Sequence, residues 1–180
     1  MGEPETRNTA RSEKRIALTG FMGVGKTSVA RHLANMLRCD RLDLDSLIEI
    51  NEQRRIAEII DADGEVAYRS IETENLKLAL NKNGVRILSL GGGAWTVPEN
   101  RDLIKTKGLT SVWLDSSFNH CWNNIRHSRK ERPLARNKLA AKKLFDERQE
   151  IYCLADWHFV VKPDLTSFDV ARQIFEEVFS

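Results

Sequence analysis

The chain has 180 residues, 41% hydrophobic and 30% charged, which suits one globular domain burying roughly 70% of its unfolded surface and excludes a disordered chain. Twenty-eight Lys and Arg against 26 Asp and Glu leave a net charge of +2, too balanced to make nucleic acid or a membrane the default partner, so any basic signal is local. Cys39, Cys121 and Cys153 are odd in number and lack the close pairs of a zinc site or disulfide framework, which fits a reducing cytosol and a cytoplasmic protein.

From Met1 to Lys14 the chain is polar and without the apolar stretch of a secretory signal, and no later run approaches the ~20 apolar residues of a transmembrane helix. The start is expected to be a disordered tail, residues 1–14, ahead of a single domain over 15–180. Short apolar blocks at Ile16 to Leu18, Leu42 to Leu44, Ile87 to Leu90, Val112 to Leu114 and Phe159 to Val161 alternate with helical patterns, the rhythm of βα units. The expected fold is therefore α/β: a five-stranded parallel sheet with helices on both faces.

After the first strand, Gly20-Phe21-Met22-Gly23-Val24-Gly25-Lys26-Thr27 matches GxxxxGK[ST] and opens a helix on which Val29, Ala30, Leu33, Ala34 and Leu37 recur at helical spacing. Glycines in such a loop let backbone N–H groups of Gly23 to Ser28 turn toward phosphate oxygens. Lys26 adds a point charge near the β and γ phosphates, and Thr27 offers a hydroxyl to Mg²⁺. The helix N-terminus contributes a favourable dipole. This loop predicts nucleoside triphosphate binding.

At the end of the second strand, Asp43 and Asp45 stand two apart and are expected to share one side of it, with Leu42 and Leu44 on the other. Ligands of open α/β sheets bind beyond the carboxyl ends of strands, so this pair should lie beside the phosphate loop, one carboxylate serving a metal and the other an acceptor hydroxyl. One of the two could instead cap a helix starting near Ser46. From there to residue 81 the pattern is nearly continuous helix, broken around Asp61 to Gly64, an insertion long enough to form a substrate lobe. It contains Arg69, with Glu72 three residues on as a partner.

The third strand ends in Gly91-Gly92-Gly93, where glycine permits close approach of a ligand to the main chain. Phe118, Cys121, Trp122 and Ile125 form an apolar helical stripe. Residues 126–138 then hold six basic residues (Arg126, Arg129, Lys130, Arg132, Arg136, Lys138) against one acid, Glu131. With Pro133 and no sustained stripe, this run reads as a mobile lid between two helices, with Arg132 as an electrophilic clamp on a polyphosphate. One helix later comes Arg148, with Tyr152 a turn further on. The last helix carries Phe168, Ala171, Ile174, Phe175 and Val178, with Thr166 or Ser167 as its cap.

Taken together and in this order, these motifs resemble those of the shikimate kinases, members of the P-loop small-molecule kinases. Gly20 to Thr27 resembles GFMGxGK[ST]. Asp43 and Asp45 resemble the DxD pair, Tyr68-Arg69 with Glu72 the [FY]RxxE segment, and Gly91 to Gly93 the GGG. Arg132-Pro133-Leu134 resembles the lid's RPL, and Arg148 with Tyr152 the RxxxY helix. The resemblance implies transfer of the ATP γ-phosphate to the 3-hydroxyl of shikimate, giving shikimate 3-phosphate and ADP in aromatic amino acid (chorismate) biosynthesis. It implies that Thr27 and Asp43 hold Mg²⁺, that Asp45 accepts from shikimate hydroxyls and acts as base, and that Arg69 and Arg148 grip the carboxylate. Gly91, Gly92 and Gly93 would line the substrate, with N–H groups of the last two on the ring substituents, while Arg132 comes in from the lid. Partners would be ATP and shikimate alone, in a monomer.

Some positions depart from that pattern. The lid is one residue shorter than in common versions, Ala135 follows Leu134, either Arg126 or Arg129 is left for adenine, and Glu150 puts an extra acid near Arg148. The alternatives are a related kinase for another small hydroxy acid and a non-catalytic nucleotide-binding relative.

Overall fold

A computed structural model describes residues 13–180. The expected tail lies outside the described residues up to position 12, while Lys14 Nζ donates to the Val178 carbonyl. The first strand, β1 (Ile16–Thr19), is apolar except for Thr19 and is fully buried, as a strand covered on both faces must be. It forms the centre of a five-stranded parallel sheet of order β2-β3-β1-β4-β5, with β2 (Asp40–Asp43), β3 (Val85–Ser89), β4 (Thr110–Asp115) and β5 (Trp157–Val160).

Eight α-helices connect and cover the strands among the described residues: α1 (Lys26–Leu37), α2 (Leu44–Glu52), α3 (Ile56–Asp63), α4 (Glu65–Leu80), α5 (Pro98–Thr106), α6 (Phe118–Arg126), α7 (Lys138–Tyr152) and α8 (Ser167–Val178). Right-handed crossovers put α1 and α8, which pack on each other, on one face, and α4, α5 and α7 on the other. The buried stripe of α1, Val29, Ala30, Leu33 and Ala34, is the one its spacing predicts; each large apolar side chain in such a stripe contributes about 1.5–3 kcal/mol. Thr166 caps α8, accepting from the Asp169 N–H while Asp169 accepts from Thr166. No described helix is long and apolar enough to cross a membrane.

Two local expectations are corrected. Strand β2 ends at Asp43, and Leu44 is the first residue of α2, buried beneath it. Asp43 and Asp45 therefore do not share one side of a strand, because Asp45 sits in the first turn of a helix. The inserted helical segment breaks twice, at Gln53 (φ 53°) and at Gly64 (φ 88°), so it is three helices. Gly64 ends α3 and starts α4 without other residues between, with a positive φ and extended ψ (165°) that glycine adopts at little steric cost.

The winding explains where a site must form. The chain leaves β1 toward one face and β3 toward the other, so a crevice opens between their carboxyl ends. Register places Asp43 of β2 beside Ser89 of β3, and Ser89 beside Leu18 of β1. The segment after β3 is pinned from outside. Asn100, fully buried on α5, donates to the Ala94 carbonyl (2.9 Å) and accepts from Thr73 Oγ1 on α4 (2.8 Å). Asn100→Ala, which strands both partners, is expected to lower unfolding free energy by about 1–3 kcal/mol in urea denaturation.

Candidate active site

The loop between β1 and α1 is shaped by backbone conformations open to glycine. Gly20, Gly23 and Gly25 all have positive φ, and a Cβ on Gly23 would lie 2.6 Å from the Cys121 carbonyl oxygen. Asn124 of α6 holds the loop from the side, its Nδ2 donating to the Gly23 carbonyl (2.8 Å). Lys26 is buried and folds back over the loop, donating to the carbonyls of Gly20 (2.7 Å) and Phe21 (3.0 Å). Burial lowers its pKa to about 8, against the opposing pull of Asp45.

Thr27 Oγ1 donates to Asp43 Oδ2 (3.0 Å) at the start of α1. The other oxygen of Asp43 caps α2 through the Ser46 N–H (3.0 Å), so the capping role falls on Asp43 rather than Asp45. A hydroxyl and one carboxylate oxygen are hard donors that fit a small divalent cation completing its shell with phosphate and water. No group of three or more His, Cys, Asp or Glu able to hold a metal occurs among the described residues.

Gly91 to Gly93 form a strap whose carbonyls are engaged from outside: Gly91 by Ala94 N, Gly92 by the Tyr152 hydroxyl, Gly93 by Thr96. Site side chains press on its other surface. A Cβ on Gly91 would lie 2.5 Å from Asp45 Oδ1 and one on Gly92 3.3 Å from Arg148 Nη1, while one on Gly93 would overlap the Arg69 guanidinium. The glycines are needed because charged groups occupy that space.

Arg69 is held by Glu72, whose Oε1 accepts from Nη1 at 2.7 Å, while Glu72 Oε2 accepts from the Tyr68 hydroxyl at 3.0 Å. Glu72 is fully buried; desolvation pushes its carboxyl up, and Arg69 and Tyr68 oppose that shift. Arg148 is only 5% exposed, and its Nη1 has no hydrogen-bond partner among the described residues. The Tyr152 hydroxyl donates to the Gly92 carbonyl, and the Arg148 guanidinium beside it opposes the rise that burial gives the Tyr152 pKa. Glu150 is exposed while Arg148 is buried, because residues two apart on a helix point to different sides; the extra acid does not join the site.

The lid runs from the end of α6 to the start of α7, as its basic run implies, with a 3₁₀ turn at Pro133–Ala135. Arg132 donates to the Lys130 carbonyl (3.1 Å) and lines the cleft, where burial lowers its pKa against the pull of Asp45. Lys130 reaches across to Asp45 at 2.8 Å, Arg136 pairs with Asp61 of α3 (2.6 Å), and Glu131 pairs with Arg55 (3.7 Å). All these elements enclose one cleft of about 730 Å³ lined by Lys26, Thr27, Asp43, Asp45, Arg69, Gly91 to Gly93, Arg132 and Arg148.

A family model described as shikimate kinase matches residues 22–179. The chain belongs to the shikimate kinase family. Relatives of that name are 33% identical over 165 residues in Brucella canis, covering 90% of this chain and 81% of theirs, and 36% identical over 144 residues in Sulfurihydrogenibium sp., covering 79% and 85%. The solved structure of a shikimate kinase from Acinetobacter baumannii in complex with shikimate superposes with a TM-score of 0.86 at 29% identity, covering 96% of both chains. A gluconokinase from Sinorhizobium meliloti shares the fold at 16% identity and a TM-score of 0.52. As a shikimate kinase family member, the chain is an ATP-dependent phosphotransferase.

The residues given binding or catalytic roles all line this cleft except Val24, which is buried in the core beside the loop; Gly20, Phe21, Glu72 and Tyr152 of the same motifs stand behind its walls. Lys130, Asn124, Ser89 and Glu49 also line it. Glu49 belongs to the inserted helical segment and Lys130 to the lid, and no spacing relates Lys130 to an acid 85 residues earlier.

The lowered pKa of Lys26 has a measurable consequence. A polyphosphate favours its charged form, so nucleotide binding raises the pKa again and draws in a proton between about pH 8 and pH 10. Calorimetry at pH 9 in buffers of different ionisation heat should show uptake approaching one proton, and at pH 7 almost none.

Proposed function

We propose that this chain phosphorylates the 3-hydroxyl of shikimate with Mg-ATP, and that the residues facing the cleft divide that work among themselves. The observation that carries the reading is the meeting of Arg69 and Arg148 against the Gly92–Gly93 strap, beside Asp45 and the phosphate loop. A ring bearing one carboxylate and several hydroxyls calls for that set, because guanidinium groups bind carboxylates in fixed, charge-assisted geometry. Arg148 supports it most directly, being buried with a donor uncommitted.

In this reading the N–H groups from Gly23 to Ser28 cradle the triphosphate, and Lys26 exchanges its loop carbonyls for phosphate oxygens. Thr27 and Asp43 hold Mg²⁺, which when bound neutralises charge on the β and γ phosphates. Arg69 and Arg148 fix the carboxylate of the acceptor, N–H groups of Gly92 and Gly93 meet its ring substituents, and Asp45 takes the 3-hydroxyl proton. Arg132 comes from the lid to the transferring group. Phosphoryl transfer needs positioning and charge neutralisation more than covalent help, which suits a site with this many fixed cations.

Purified protein with Mg-ATP should release ADP when shikimate is added and leave sugar acids and nucleosides unphosphorylated; release that ignores shikimate would overturn the assignment. Asp45→Asn is expected to lower kcat by about 10²–10⁴-fold with the fold intact by circular dichroism. Arg148→Gln should raise the KM for shikimate about 10–100-fold, the range for a lost hydrogen bond to a charged group.

A further inference from the structure

Asp45 has two oxygens in different situations. Oδ1 is buried against Gly91 without a hydrogen-bond partner among the described residues. Oδ2 is the oxygen that Lys130 meets, at 2.8 Å. The lid is braced for this contact, since Lys130 N donates to Ser128 Oγ (3.2 Å) and the Lys130 carbonyl accepts from Arg132. Of the neighbouring lid charges, Glu131 turns to Arg55 and Arg136 to Asp61, while Arg132 lines the cleft and feels Asp45 without an ion pair to it. The accessible oxygen of the proposed base is thus covered by an ammonium group.

An ATP-bound kinase faces water as a competing acceptor. In hydrolysis a water oxygen bonds to the γ phosphorus, the bond from that phosphorus to the β–γ bridging oxygen breaks, ADP leaves with the electron pair, and the water proton passes to Asp45. With shikimate, the 3-hydroxyl oxygen and its proton take those places. Either acceptor must first reach Asp45 Oδ2. Shikimate arrives with a carboxylate to anchor on Arg69 and Arg148, and that remote binding energy can displace a cation from the carboxylate. Water has no such anchor.

We propose that Lys130 caps Asp45 until shikimate displaces it, so that the site discriminates the hydroxy acid from water and ATP is not hydrolysed idly. This rests on the shikimate kinase activity proposed above. With side-chain exposures of 49% for Lys130 and 22% for Asp45, the pair is partly solvated and its removal frees Asp45 by about fivefold at most.

The test measures ADP release from Mg-ATP, with and without shikimate, for the whole chain and for K130M, K130R and E131Q. K130M should raise shikimate-independent release by about two- to fivefold and lower the KM for shikimate by a similar factor. K130R, which keeps a cation at Asp45, should restore the low rate, and E131Q, which breaks a lid contact away from Asp45, should not raise it. Hydrolysis by K130M at or below the wild-type rate overturns the proposal, as does an equal rise in E131Q, which would mean that any loosening of the lid suffices. Should K130M melt before the assay temperature, K130Q carries the same comparison. Wild-type release that ignores shikimate overturns the kinase reading itself, whereas shikimate-dependent release with unchanged K130M hydrolysis overturns only the role of Lys130.

Discussion

The reversal of winding between β1 and β3 is the constraint on which the rest depends. Because the chain turns to opposite faces after these two neighbouring strands, backbone from both must cross the same sheet edge, leaving a crevice that neither helix layer fills. The phosphate loop follows β1 and the glycine strap follows β3. The partial positive charge at the start of α1 and the glycine strap therefore face one space, into which α4 and α7 deliver Arg69 and Arg148.

Gathering so many charges in a partly dry cleft is costly, and the protein treats each one differently. Glu72, fully buried, is satisfied by both Arg69 and Tyr68; an unpaired carboxylate there would carry a desolvation penalty of several kcal/mol. Lys26 rests on loop carbonyls with its pKa lowered to about 8, charged at neutral pH yet held only by neutral acceptors that a phosphate can replace. Arg148 keeps one donor uncommitted, which in a buried group is a reserve for a ligand.

Burial also sorts the permanent contacts from the exchangeable ones. The Arg69–Glu72 pair, with side-chain exposures of 18% and 1%, is part of the folded core of the site. The lid contacts, Arg136–Asp61, Glu131–Arg55 and Lys130–Asp45, are exposed on at least one partner. Each is worth about 1 kcal/mol or less, so the lid can rest against the substrate lobe and still leave it in each cycle. A lid fastened by buried pairs could not.

Much of the molecule was legible in the chain. GxxxxGK[ST] between an apolar block and an amphipathic stripe specifies strand, loop and helix together, because glycine, lysine and helical periodicity act within a dozen residues. The five strands, the buried stripe of α1, most of that of α8 and the basic lid follow from equally local rules, although on α8 Phe168 is half exposed and Val170 is buried. Local rules failed at Asp45, placed by an argument about strand alternation when α2 had already begun at Leu44, and at Gln53, where a non-glycine residue takes a left-handed turn that no pattern announces. The meeting of Lys130 with Asp45, the reach of Asn124 to the Gly23 carbonyl and the press of Arg69 on Gly93 belong to the tertiary structure alone. Each joins residues far apart in sequence, and such contacts are set by how the helices pack across the sheet, which no periodicity or spacing within one segment encodes.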